Sequence, residues 1–270
     1  MILIDSHTHT RLCRHAIGEP SDYIEMARRR GLRILALTDH CPLASGYFKG
    51  VRMLPDELPL YRRWVQDAQA AERERPDGIE VLYGIEMDIL PSARASVDDD
   101  RILTDEPLDF AIGSVHYQAP EYAEWEQQSG FNDPPSRIRA YFRLLADGAQ
   151  TGRYDCLGHI DLIEAPAGAF NPNDYLNELS DLFDACVSTG TGIEINTSGL
   201  LKPLGRCFPM PEILGWAADR GVRIAVGSDA HSPSGVAYAF DAAEALLRAA
   251  GVRTVYGWRR RQPFDLPLDA

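Results

Sequence analysis

Near its start the chain carries the stretch Ile2-Leu3-Ile4-Asp5-Ser6-His7-Thr8-His9-Thr10, and a third histidine follows at His15. The apolar beginning of this stretch predicts a short buried strand. His7 and His9 lie two positions apart, so in an extended chain both imidazoles point to the same side, beyond the end of the strand. Because imidazole is the commonest metal-binding side chain, the stretch predicts half of a metal site.

The length and composition of the chain are those of an ordinary globular protein. Its 270 residues suit one large α/β domain or two small ones. No apolar run approaches the roughly 18 residues that cross a bilayer, and we recognise no signal peptide. The five cysteines are irregularly spaced and include no Cys-x-x-Cys pair, which is typical of a reduced protein. We therefore expect a cytoplasmic protein without a membrane partner.

The formal net charge of −13 bears on the choice of partner. Such an acidic surface argues against nucleic-acid binding through a broad basic face. The acidic charge does not exclude a small anionic substrate, because bound divalent cations can make a site locally positive. The oligomeric state does not follow from the charge.

Short apolar segments alternate with helical patterns along the whole chain. Strands are predicted at residues 1–4, 33–38, 80–85, 110–115, 156–158, 192–196 and 222–228. Helices are predicted at about 21–30, 59–74, 136–150, 173–188, 211–220 and 237–250. Residues 117–136 are predicted to be a loop, either a lid or a surface excursion. Seven β-α units in one chain predict an α/β fold, a closed parallel barrel that occupies residues 1–270 as one domain.

Chemically active side chains follow the predicted strands. Six of the seven strands end in a histidine, an aspartate or a glutamate. The carboxyl ends of parallel barrel strands open onto one face, where catalytic groups converge. The candidate ligands are His7, His9, His15, His40, Glu86, His116, His159, Asp229 and His231. Nine ligands are too many for one ion, and nitrogen-rich sites with carboxylates suit Zn, Fe or Mn better than Ca or Mg.

Eight short motifs make the chain resemble a known family. The residues that carry the likeness are Asp5-Ser6-His7-Thr8-His9-Thr10, Cys13-x-His15-Ala16, Thr38-Asp39-His40, Gly84-Ile85-Glu86-Met87-Asp88, Gly113-Ser114-Val115-His116-Tyr117, Gly158-His159-Ile160-Asp161-Leu162, Asn196-Thr197-Ser198-Gly199-Leu200 and Gly227-Ser228-Asp229-Ala230-His231. They are similar to the PHP (polymerase and histidinol phosphatase) family, and most closely to its monofunctional histidinol-phosphate phosphatases.

The resemblance implies a distorted seven-stranded (β/α)7 barrel of TIM-like form with three divalent metal ions. One ion would be held by His7, His9, Glu86 and Asp229. Glu86 would bridge to a second ion, held also by His116 and His159. The third would be held by His15, His40 and His231. A metal-bound hydroxide would attack the phosphorus of L-histidinol phosphate and release L-histidinol and inorganic phosphate, a step of histidine biosynthesis.

Further residues are candidates for supporting roles. Asp39 and Asp161, each near a proposed ligand, are candidates to orient imidazoles, or they are ordinary strand-end acids. Arg52 and Lys202 are candidates for phosphate contacts, and Tyr117 for the pocket wall. Each of these three is otherwise a surface side chain.

Two segments depart from the family pattern. The family commonly carries basic residues shortly after Gly-His-Ile-Asp, where this chain has Glu164-Ala165-Pro166. The family also carries a basic pair where this chain has Leu201-Lys202. Neither change touches a proposed ligand, so the identity of the substrate is affected more than the reaction.

Three alternatives stay open on the sequence alone. The chain could be a PHP phosphoesterase for another small phosphate monoester. It could be an amidohydrolase, which also opens with His-x-His, although those enzymes usually have eight strands and often a bridging lysine. It could be a non-catalytic PHP module that serves a polymerase, although no polymerase segment is present and all nine ligand positions are filled.

Overall fold

Seven parallel strands form one sheet whose order is the order of the chain. The computed structural model describes residues 1–43, 50–91 and 101–268, with the side chains of residues 165 and 166 left out. The strands are β1 (Ile4–Asp5), β2 (Ile34–Leu37), β3 (Glu80–Asp88), β4 (Phe110–Ser114), β5 (Cys156–Leu157), β6 (Gly192–Asn196) and β7 (Ile224–Gly227). Every predicted strand overlaps an observed one, and each strand pairs in parallel with the next.

The first and last strands meet and turn the sheet into a barrel. The backbone amide of Ser6 donates to the carbonyl of Val226 at 2.9 Å, and Thr8 bridges Ala230 in parallel. The buried carboxylate of Asp5 reinforces this closure from below. It accepts hydrogen bonds from the amide and hydroxyl of Ser228 at 2.9 and 2.5 Å and from the amide of Ala237 at 2.8 Å. The predicted seven-stranded α/β barrel is therefore confirmed.

Helices cover the outside of the barrel. They are α1 (Pro20–Arg29), α2 (Leu58–Arg73), α3 (Pro120–Ser129), α4 (Pro134–Gln150), α5 (Glu164–Ala167), α6 (Leu176–Thr189), α7 (Pro211–Asp219) and α8 (Phe240–Ala249). With both faces covered, β2 and β7 are buried at every residue, which explains their uninterrupted apolar sequence. In α1 the predicted face is buried through Tyr23, Ile24 and Ala27. In α6, Leu179, Phe183 and Cys186 face the core, but Leu176 begins the helix and is half exposed.

Two segments differ from the sequence prediction. The predicted loop 117–136 contains α3, which begins at Pro120 and ends before Gly130, a residue with a φ of 71°. Tyr122 is the one buried residue of this helix, so the helix needs no continuous apolar face. Its sequence therefore lacks the apolar periodicity from which a helix is predicted. The expected short tail is an antiparallel hairpin of β8 (Thr254–Arg259) and β9 (Gln262–Pro267). Arg260 and Arg261 form its turn, and both have positive φ. Turns of this kind usually contain Asn or Gly, which this sequence lacks there.

Within the described part of the chain, no helix combines the length and hydropathy that a bilayer span requires. All five cysteines lie in this part, all are buried, and no two of them form a disulfide.

We expect Asp5→Ala to lower the free energy of unfolding by about 2–4 kcal/mol, because it leaves several buried donors without an acceptor. The measurement is urea denaturation of metal-free protein at pH 8, above the pKa of about 6 to which burial raises this carboxyl group. Asp184→Ala is the control, since that side chain is 70% exposed and pairs with Arg220. Equal stability of the two variants would contradict the closing role of Asp5.

Candidate metal centre

All nine predicted ligands lie together at the carboxyl end of the barrel. They come from the ends of six strands and from the turn after β1. The set is His7, His9, His15, His40, Glu86, His116, His159, Asp229 and His231. Most are buried, and the imidazoles pack ring against ring, with centroids 4.3–6.2 Å apart.

Glu86 occupies the middle of this cluster. Its Oε2 atom lies 2.8 Å from Nδ1 of His40 and 3.4 and 3.5 Å from Nε2 of His7 and His9. Its Oε1 atom lies 3.3 and 3.4 Å from the Nε2 atoms of two more histidines. Five imidazoles therefore surround one carboxylate: His7, His9, His40, His116 and His159.

The remaining ligands complete one side of the cluster. Oδ1 of Asp229 lies 3.2 Å from Nε2 of His9. The ring of His231 lies 4.3 Å from that of His9 and 4.5 Å from that of His15. Asp229 and His159 both have positive φ, at 53° and 25°. Backbone in this region costs free energy for a residue with a side chain, and such positions concentrate at functional sites.

The cluster contains buried polar atoms that lack hydrogen-bond partners. They are Nε2 of His7, Nε2 of His9, Nδ1 of His40, Nδ1 of His159 and both carboxylate oxygens of Glu86. The 2.8 Å contact between His40 and Glu86 does not have the geometry of a hydrogen bond. Leaving a buried polar atom unpaired costs about 1–3 kcal/mol. Donor atoms that each lie about 2 Å from a tetrahedral ion are themselves about 3.3 Å apart, close to the separations around Glu86. The donors therefore fit divalent ions such as Zn, Fe or Mn.

Besides a fourth group that joins His9 to Cys13 and Asp39, three groups drawn from the nine predicted ligands have their ligand atoms within 4.8 Å of one another. They are His7, His9 and Asp229; His9, His40 and His231; and His40, Glu86 and His116. Each of these three groups shares at least two members with one of the three ion sites that the resemblance implies. The assignment of individual ligands to individual ions stays a prediction.

The electrostatic balance of the cluster favours the metal-binding form at three of its ligands and the protonated form at two others. Burial alone would raise the pKa of Glu86, but the imidazoles of His40 and His7 hold it well below its usual range. Burial lowers the pKa of His9 well below its usual value and that of His40 to about 4. A neutral imidazole and an ionised carboxylate are the forms that bind metal ions. Burial also lowers the pKa of His7 and of His116, but the neighbouring carboxylates outweigh it and raise the first well above its usual value and the second to about 10. Metal binding at these two imidazoles would therefore release a proton from each.

Two carboxylates that the sequence analysis missed contact the ligands from outside. Both oxygens of Glu194 lie 3.0–3.1 Å from Nδ1 of His7. Oδ1 of Asp88 lies 2.9 Å from Nδ1 of His116. Both had a sequence signal: Glu194 interrupts an apolar strand, and Asp88 lies two residues after Glu86, on the same side of β3.

The two aspartates that were predicted to orient imidazoles have different surroundings. Asp39 accepts hydrogen bonds from Thr10 and from the thiol of Cys13, whose sulfur lies 3.4 Å from Nδ1 of His9. Asp39 thus contacts the imidazole of His9 indirectly, through Cys13. The ligand beside Asp39 in the chain is a different one, His40.

Asp161 contacts a neighbouring loop. It accepts from the amide of Met210 at 2.8 Å and pairs with Arg206 at 2.9 Å. Nδ1 of His159 is buried without a hydrogen-bond partner, so Asp161 does not orient that ring. Arg206 also pairs with Glu164, the acid that stands where the family usually has a base.

A cavity of about 240 Å³ opens above the cluster. Arg52 and Lys202, two of the predicted substrate contacts, line it. Arg52 is buried and donates to Oδ2 of Asp88 at 2.5 Å and to the carbonyl of Cys41 at 3.0 Å. Nζ of Lys202 lies 5.1 Å above the ring of Phe208. Tyr117, the third predicted contact, is half-buried against the core.

Comparison with known proteins identifies the family. The model of the PHP domain matches residues 5–198. The chain belongs to the PHP family. A PHP relative from Deinococcus radiodurans, named a probable histidinol-phosphatase, is 35% identical over 97% of this chain and 99% of its own length. A probable phosphatase from Caldanaerobacter subterraneus is 28% identical over 85% of this chain and 76% of its own.

A solved structure shares the fold. The histidinol phosphate phosphatase of Lactococcus lactis, complexed with zinc, L-histidinol and phosphate, matches with a TM-score of 0.78 and 21% identity. The match covers 97% of this chain and 98% of the other. It supports the PHP barrel described above.

The Arg52–Asp88 pair gives a stability prediction. We expect Arg52→Met to lower the free energy of unfolding of the metal-free protein by about 3–5 kcal/mol, because it leaves a buried carboxylate without its cation. Arg143→Met is the control, because Arg143 is 66% exposed where it pairs with Glu178 and should cost no more than about 1 kcal/mol. Urea denaturation measures both. Similar losses in the two variants would contradict the prediction.

Proposed function

We propose that the protein is a metal-dependent phosphoric monoester hydrolase of the histidinol-phosphatase type, which converts L-histidinol phosphate to L-histidinol and inorganic phosphate in histidine biosynthesis. The observation that carries the proposal is the cluster of nine histidine, aspartate and glutamate side chains around Glu86 in a PHP chain. The relative named a probable histidinol-phosphatase, which aligns with nearly the whole chain, supports the substrate.

Three divalent ions, Zn, Fe or Mn, are proposed to be held by the nine ligands in the groups that the resemblance implies. When bound, the ions supply Lewis acidity and positive charge for a phosphoryl group. Glu86 contributes the central negative charge and can bridge, since its two oxygens face different sets of imidazoles. Asp229 provides the second anionic ligand.

The residues of the cavity wall are proposed to contact the substrate. Lys202 can swing from the ring of Phe208 and donate to a phosphate oxygen. Arg52 is held by Asp88, so its charge stays fixed at the wall and contributes attraction for an anion without moving. Leu162 lies in the same wall and offers apolar contact to the rest of a small substrate. Tyr117 was predicted to line the pocket, but the described cavity is lined by its neighbour Gln118 and not by Tyr117 itself.

Residues 1–270 are proposed to form one PHP domain that works in the cytoplasm, with no nucleic-acid or membrane partner. The hairpin beyond the matched family region supports this, because the ring of Trp258 stacks 5.1 Å from that of Phe110 in the barrel. Arg261 in the hairpin turn pairs with Asp155 beside β5. The acidic net charge of −13 agrees with the absence of a nucleic-acid partner.

A second candidate is a PHP phosphatase for another small phosphate monoester. Glu164 and Leu201 stand where the family usually has basic residues, and more distant relatives are named only as phosphatases. Family membership and the seven strands argue against an amidohydrolase. The complete ligand set argues against a non-catalytic module.

Phosphate release tests the proposal directly. We expect kcat/KM of the metal-loaded enzyme to be higher for L-histidinol phosphate than for a panel of other phosphomonoesters. His116→Ala should lose more than about 100-fold in kcat/KM, since changes outside a metal's ligand shell already cost about 10–100-fold. Activity on another ester alone would favour the second candidate. No turnover of any ester by protein with metal bound would refute both.

Lys202 gives a prediction about substrate binding. We expect Lys202→Met to raise KM by about 10–100-fold with a smaller change in kcat, because one charge-assisted hydrogen bond to phosphate contributes about 1.5–3 kcal/mol. Lys202→Arg keeps the charge and is the matched control, with KM near that of the wild type. An unchanged KM in Lys202→Met would show that this side chain does not contact the substrate.

A further inference from the structure

Glu194 is a fully buried carboxylate that belongs to none of the nine proposed ligands. It lies in β6, the one barrel strand that contributes no ligand. Its oxygens lie 3.0 and 3.1 Å from Nδ1 of His7. Its Oε1 atom also accepts from the backbone amide of His159 at 2.9 Å and from Nδ2 of Asn196 at 2.7 Å. One side chain thus contacts proposed ligands on two other strands.

The space for this carboxylate depends on a glycine of the neighbouring strand β7. A Cβ at Gly227, the last residue of β7, would lie 2.6 Å from Oε2 of Glu194 and 2.6 Å from Cβ of His7. A Cβ at Gly158, just after β5, would collide with the hydroxyl of Ser114 at 2.4 Å but would only touch Oε1 of Glu194, at 3.4 Å. Any larger residue at Gly227 would force the carboxylate and the imidazole apart.

The charge around His7 is strongly negative. Glu194 lies on the Nδ1 side, while Glu86 and Asp229 lie 3.4 and 3.8 Å from Nε2. In the part of the chain that the structure describes, no lysine or arginine pairs with Glu194. A buried carboxylate is costly unless it is paired. A divalent ion on the Nε2 side is the group that would balance these three charges.

We infer that Glu194 is a positioning residue of the metal centre. Accepting the Nδ1 proton of His7 presents the free Nε2 lone pair to the ion and makes the imidazole a stronger ligand. Accepting the amide of His159 fixes the backbone of a second ligand, where φ is positive. The inference rests on the proposed metal centre and adds to it a residue outside the ligand set.

Glu194→Gln tests the inference with little change in shape. The oxygen of the amide would stay at the donors His159 and Asn196, which leaves its NH2 group facing Nδ1 of His7. That contact favours the tautomer with its proton on Nε2, the atom turned toward the metal centre. We expect zinc affinity at one site to fall by about 10–100-fold.

Zinc affinity is measured by competition with a chromophoric chelator, and melting temperature is measured with and without zinc. Glu178→Gln is the matched control, since Glu178 is also buried but pairs with Arg139 and Arg143 away from the cluster. The control should lower both melting temperatures alike and keep the zinc affinity. Glu194→Gln should shrink the rise in melting temperature that zinc produces.

The outcomes separate this inference from the proposed function. If the wild type binds no zinc, the proposed metal centre fails. If the wild type binds zinc and Glu194→Gln binds it equally well, the positioning role alone is overturned. Should Glu194→Gln not fold, Glu194→Asp withdraws the carboxylate by one methylene and is measured in the same way. A reduced zinc affinity in that variant supports the inference, and an unchanged one overturns it.

Discussion

The burial of the Glu86 carboxylate is the constraint on which the rest of the structure depends. An isolated buried charge is very costly, so Glu86 requires compensating groups on every side. The barrel provides them because the carboxyl ends of its strands converge at one place. Four neighbouring strands bring imidazoles to within 3.5 Å of its two oxygens. This convergence leaves both oxygens of Glu86 and several of the imidazole nitrogens without hydrogen bonds, and these atoms form a set of donors suited to metal ions.

Two further carboxylates contact these imidazoles from the side that faces away from Glu86. Glu194 contacts His7, and Asp88 contacts His116 while it pairs with Arg52. Arg52 was predicted to contact phosphate, but in the structure it pairs with Asp88. Its guanidinium balances Asp88 first, and its charge reaches the cavity from a fixed place in the wall. Under the proposed function, one buried ion pair would couple the orientation of His116 to the attraction of the substrate.

The sequence predicted the barrel and the nine clustered residues because both depend on local patterns. Period-two spacing and the alternation of strands with helices place side chains at strand ends without knowledge of distant contacts. The missed features depend on partners far apart in the chain. Glu194 meets His7 across 187 positions, and Arg206 meets Asp161 across a loop. The turn at Arg260 and Arg261 was missed because arginine rarely signals positive φ.

The departures from the family pattern have a structural counterpart in the Arg206 ion pairs. Glu164, which stands where the resemblance implies a basic residue, pairs with Arg206, and Asp161 pairs with the same guanidinium. An arginine held by two carboxylates has little capacity left for a phosphate. Under the proposed function, the phosphoryl group would be bound chiefly by the metal ions and by Lys202, which lines the cavity together with Arg52. The proposed reaction would depend on the nine ligands, whereas the proposed choice of substrate would depend on the segment in which Arg206 pairs with Asp161 and Glu164.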